Sequence, residues 1–127
     1  MSNYVNQVGG DHYACEYQHW DWAPETGLGY LEASATAYIA RHKKKNGKQD
    51  LEKALSFINK IIAMKYLPPA GKRPEQSATL RHRFLIAAGL YGTVEGTLIT
   101  WIDLWGDDSD LAGIVKNLEA MINDYGG

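Results

Sequence analysis

The run RHKKKNGK at 41–48 sets an arginine, a histidine and four lysines within eight positions. A guanidinium grips phosphate through paired donors and an ammonium acts as a point charge, so Arg41, Lys44 and Lys45 are candidates for holding a phosphoryl group. The same cluster also suits a solvated helix end, where cations are favoured beside the negative pole of the dipole. At such an end the backbone repels anions, and side chains alone would have to bind them.

A second candidate is GGDHY at 9–13, inside the aromatic-rich stretch VGGDHYACEYQHWDW at 8–22. Gly9 and Gly10 permit close backbone approach to a ligand, His12 offers a donor, and Tyr13 and Trp20 offer stacking surfaces. A buried turn in which Asp11 caps its neighbours fits the same composition. Glu32 precedes Arg41 by nine positions, roughly two and a half helical turns, so its carboxylate could orient a ribose hydroxyl or an adenine amine. Asp50 and Glu52 fall where a helix would begin and complement its positive pole, with Asp50 able to pair with Lys53.

These residues need elements to hold them. Leu31, Ala35, Tyr38 and Ile39 follow helical spacing over 29–45, and Asn46-Gly47 supplies a stop. Leu51, Leu55, Ile58, Ile62 and Tyr66 recur at intervals of four and three, which predicts an amphipathic helix ending before Pro68 and Pro69. A four-residue link makes the two an antiparallel hairpin with the lysine cluster at its tip. The lead-in at 1–28 carries no sustained period beyond one helical turn at 20–25. LPPAGKRPEQS at 67–77 is the one break in composition. Beyond it, 80–88 reads as helix, Val94, Leu98, Trp101, Ile102 and Trp105 form another stripe, and Leu111, Val115, Leu118 and Ile122 a further one capped by Asp108 or Ser109. With no sustained strand alternation, the expected fold is all-α: one domain over 1–127, built on the helix hairpin with additional C-terminal helices.

Composition narrows the function. At 127 residues and 45% hydrophobic content the chain suits one domain with a real core. A net charge of −2 gives no general attraction to nucleic acid or to an anionic membrane. No segment approaches the apolar length that spans a bilayer, and one cysteine, Cys15, excludes an internal disulfide framework, so a cytoplasmic setting is expected. The four histidines lack the i, i+4 spacing of a helical metal site, and no metal is expected. There is no Gly-Lys-Ser or Gly-Lys-Thr phosphate loop and no nucleophile elbow. Trp101 and Trp105, four apart, read as core or subunit interface.

Taken in order, GGDHY, YQHWDW and YLEASATAYIARHKKKNGKQDLEKALSFINKII resemble the SaV-like family of small phage proteins, which includes a nucleotide kinase lacking a P-loop. The resemblance covers about 8–66. It implicates His12, Tyr13, Tyr38, Arg41, Lys44, Lys45, Asp50 and Lys53, and it implies a nucleotide ligand and a host-cytoplasmic site of action. The chain departs from the family pattern at Ala37, where relatives usually carry lysine, and at Ala33-Ser34, where many carry Gly-Asn. The C-terminal half, 78–127, reads as an architectural extension.

Two functions follow from the resemblance. One is a nucleoside monophosphate kinase using ATP, with magnesium if transfer requires it. In that reading Arg41 and Lys44 neutralise the transferred group, and His12 or Asp11 orients or deprotonates the acceptor. The other is a non-catalytic sponge that sequesters a nucleotide messenger of bacterial antiphage defence, which needs clamps and walls but no transition-state machinery. A homo-oligomer is expected, with a nucleotide bound between protomers. A third reading, a helical interaction protein, keeps the fold alone.

Overall fold

The computed structural model describes residues 17–65 and 74–126. Six helices occur among them: α1 (His19–Thr26), α2 (Tyr30–Arg41), α3 (Lys48–Met64), α4 (Ser77–Ala87), α5 (Val94–Leu104) and α6 (Asp108–Gly126). The fold is all-α, as the spacing predicts, with no strand among the described residues.

Helix α3 forms because Leu51, Ala54, Ile58 and Ile61 recur at three and four positions and bury one continuous stripe. That stripe lies between two neighbours: α2 on one side as an antiparallel partner, and α6 on the other. Helix α6 supplies Leu111, Ile114 and Leu118, α2 supplies Ala35 and Ile39, and α5 closes the layer with Leu98, Ile99 and Ile102. Each fully buried Leu or Ile contributes about 1.5–3 kcal/mol of apolar transfer. Helix α4 docks on α1 through Phe84, whose ring stacks on the fully buried Trp22 at 4.8 Å and 3°.

Helix ends show where local chemistry sets boundaries. Thr93 Oγ1 accepts from the Gly96 N–H at 3.0 Å and starts α5. At α6 the cap is Asp107 rather than Asp108 or Ser109: its Oδ1 accepts from the Asp110 N–H at 2.9 Å, while Asp110 Oδ2 accepts from the Gly106 N–H at 2.8 Å. Helix α2 stops at Arg41, earlier than the expected 45, and 42–44 tighten into a 3₁₀ turn. The reason is His42, whose ring turns into the core and is 4% exposed. Gly47 follows at φ 58° and ψ −122°, a backbone conformation that disfavours any side chain, and α3 begins immediately after it.

Three positions of the expected apolar stripes are exposed: Ile62, Val94 and Trp101. Ile61 rather than Ile62 faces the core, because a 3.6-residue repeat has drifted by the fourth turn. Trp105 is buried, whereas Trp101 is 43% exposed. Most of the proline-rich link lies outside the described residues, and its final residue, Ser77, opens α4.

Candidate functional site

Tyr38 and Arg41 are three apart on α2, so they stack along one face. Lys53 and Phe57, four apart on α3, meet them across the hairpin. The Arg41 guanidinium lies 4.6 Å from the Tyr38 ring centre and the Lys53 ammonium 5.5 Å from it, both within range of attraction by the ring quadrupole. Phe57 stacks near-parallel to Tyr38 at 5.9 Å, and Tyr30 meets Phe57 edge-on at 6.1 Å. The result is an aromatic row, Tyr30–Phe57–Tyr38, ending at two cations. Tyr30 is 75% exposed, leaving an accessible ring at the far end.

Arg41 does not float over this row. Its Nε donates to Asp50 Oδ2 at 3.3 Å and its Nη2 to Oδ1 at 3.2 Å, and the Asn46 N–H donates to Oδ2 at 3.1 Å. Asp50 is fully buried. Burial pulls its carboxyl upward, but the Arg41 and Asn46 hydrogen bonds outweigh this and hold it below the ordinary carboxylate range. The carboxylate that could have paired with Lys53 therefore positions the guanidinium instead. Lys44 and Lys45 are exposed on the turn beyond Arg41.

Other sequence candidates fall elsewhere. Glu32 is fully buried beneath α2 and accepts from the Trp105 indole N–H at 2.9 Å, so its carboxylate faces the packed interior. Trp20 is 74% exposed on α1. Gly10, Asp11, His12 and Tyr13 lie outside the described residues. Spacing did not single out Tyr30 and Phe57 as site residues; only the hairpin pairing brings them into line.

A second cluster sits at the same turn but faces inward. His42 Nε2 is 2.7 Å from Glu95 Oε2 and its Nδ1 is 2.5 Å from the Tyr125 hydroxyl. The partners lie 53 and 83 residues along the chain, so no local pattern could have revealed them. An open cleft of about 260 Å³ on the opposite part of the fold is lined by Trp101, Leu104, Trp105, Ser109, Asp110 and Gly113. Among the described residues no three His, Cys, Asp or Glu side chains gather as a metal site, and no helix is long and apolar enough to cross a membrane. Comparison with known protein families, with curated proteins and with solved structures finds no match to this chain.

Proposed function

We propose that the chain binds a phosphorylated nucleotide along the outer face of the α2–α3 hairpin. The observation that carries this reading is the pair of cations, Arg41 and Lys53, held over the Tyr38 ring at the end of an aromatic row. A nucleotide has a flat apolar-faced base at one end and phosphates at the other. Tyr30 presents a stacking surface at the start of α2, Arg41 presents donors roughly 16 Å further along that helix, and Lys53 joins it from α3. The buried Asp50 fixes the guanidinium in advance, which reduces the ordering cost of binding. The resemblance to SaV-like proteins points to the same face through Tyr38, Arg41, Lys44, Lys45, Asp50 and Lys53.

The resemblance gives the activity in this reading: phosphoryl transfer from ATP to a deoxynucleoside monophosphate, with a second protomer completing the site. A second reading, sequestration of a nucleotide messenger without turnover, is favoured by Ala37. That residue sits half-buried beside Tyr38 and places no charge where a transferred phosphoryl group would need it. One experiment tests both. The protein is titrated with ATP, deoxynucleoside monophosphates and cyclic nucleotides, then heated, and the released nucleotides are separated by chromatography. Binding at about micromolar or tighter is expected, weakened at least tenfold, or about 1.4 kcal/mol, by Arg41→Ala with Lys53→Ala. New diphosphate supports transfer; ligand recovered intact supports sequestration. Absence of binding to every nucleotide at millimolar concentration refutes the proposal.

A further inference from the structure

His42, Glu95 and Tyr125 meet from the α2–α3 turn, the first turn of α5 and the last turn of α6. Burial raises the Glu95 carboxyl, but the hydrogen bond to His42, its own backbone N–H and the Lys43 charge prevail and hold it below the ordinary carboxylate range. An ionised carboxylate can only accept, so the hydrogen between them belongs to His42 Nε2. In the neutral tautomer, with its one proton on Nε2, the imidazole offers the Nδ1 lone pair to the Tyr125 hydroxyl 2.5 Å away as an acceptor. Carboxylate, imidazole and hydroxyl thus stand in the order that activates a nucleophile: the first orients, the second takes the proton, the third attacks.

Exposure follows the same order. Glu95 is 5% and His42 4% exposed, whereas Tyr125 is 45% exposed. Its ring packs over Gly47, where an added Cβ would stand 3.5 Å from Cε1. The surrounding turn carries exposed Lys43, Lys44, Lys45 and Lys48, with the Lys43 ammonium 3.7 Å from Glu95 Oε2. A group arriving at this hydroxyl meets several positive charges, which selects for an anionic electrophile.

We propose that Tyr125 is a nucleophile that accepts a phosphoryl group from a nucleoside triphosphate or an acyl phosphate, with His42 as its base and Glu95 as the positioning residue. The Tyr125 oxygen forms a bond to phosphorus as the bond from phosphorus to the bridging oxygen breaks. The electron pair leaves with nucleoside diphosphate or carboxylate. The phenol proton passes to His42 Nδ1, the imidazolium faces the Glu95 carboxylate, and the proton is then lost to water. Nothing is oxidised or reduced. The step does not depend on nucleotide binding by the hairpin face, because an acyl phosphate has no base to stack.

The test incubates the full chain with acetyl phosphate and, separately, with ATP and Mg²⁺, and locates phosphotyrosine by peptide fragmentation. Tyr30 and Tyr91, 75% and 60% exposed, serve as internal references within the unaltered protein. Tyr125 is expected to be labelled at least tenfold more than either, although it is less accessible. His42→Asn and Glu95→Gln, each checked for helix content by circular dichroism, should lower that labelling at least tenfold, and Tyr125→Phe should abolish it. Labelling by acetyl phosphate alone upholds the inference while counting against ATP as a ligand. Equal labelling of the three tyrosines, no label on Tyr125 from either donor, label on His42 instead, or full labelling in folded His42→Asn would each overturn it; the cluster would then be a pin for the end of α6.

Discussion

Replacing Arg41 by alanine leaves a fully buried carboxylate, Asp50, held by Asn46 through its N–H and its side chain. Removing one partner of a buried ion pair costs about 3–5 kcal/mol when both groups are dry. Here 43% of the Arg41 side chain is exposed and its two bonds are long, at 3.2 and 3.3 Å, so water can replace part of what is lost. The expected cost is about 2 kcal/mol after that discount. With a urea dependence of about 2 kcal/mol per molar, the midpoint should fall by about 1 M at unchanged slope. Combining Arg41→Ala with Asp50→Asn should show a coupling of about 1 kcal/mol or more. The pH dependence has a fixed sign. Asp50 has a depressed folded pKa, so the pair's contribution is complete above the unfolded carboxyl value of about 4 and is lost as pH falls through the folded value. The gap between wild type and Arg41→Ala should therefore close only in acid. A coupling below about 0.5 kcal/mol, or a gap that persists undiminished at the lowest pH where the protein folds, would refute the reasoning.

Burial pushes the His19 imidazole down to about 4, so the unfolded chain binds a proton that the folded one refuses between about pH 6.5 and 4. Stability should decline across that window by up to about 3 kcal/mol, and His19→Gln should flatten the slope in urea titrations at stepped pH. Ile58→Ala, at a position with no exposure, should cost about 2–5 kcal/mol, whereas Ile62→Ala, at 41% exposure, should cost under about 1 kcal/mol; equal costs would contradict the observed facing of α3. Gly96→Ala would place a Cβ 2.2 Å from the Leu90 carbonyl oxygen and should lower the melting temperature despite alanine's better helix propensity. Gly113→Ala meets nothing within 4 Å and should raise it.

The hairpin was legible because both of its determinants are local: a stripe of apolar residues at helical spacing and a glycine that the turn requires. Arg41 could be nominated from residue type, whereas Tyr38, Asp50 and Lys53 entered as site residues only through the resemblance, and the arrangement of the four was not legible. Asp50 has a charged neighbour three residues away in Lys53 and another nine residues back in Arg41, and the hairpin geometry decides between them. Glu32 shows the opposite failure. Its spacing from Arg41 is two and a half turns, which sets it on the opposite face of α2, and there the α5 end brings Trp105 over it from 73 residues away. Trp101 and Trp105 share a spacing of four, and only packing distinguishes the buried indole from the exposed one. His42 carried no signal, since a histidine within a lysine run reads as one more polar residue.

Tyr125 closes onto His42 across 83 residues, whereas the cation–aromatic face of the hairpin is made within residues 30–57. Contacts between neighbours in sequence form sooner than those requiring closure of a long loop. During synthesis the hairpin can pair before α6 has left the ribosome, while the inward cluster has to wait for it. The two surfaces at the α2–α3 turn therefore mature in sequence, the outer one first, and a nascent chain passes through a stage in which the lysine-bearing turn exists without the phenol that later packs against Gly47.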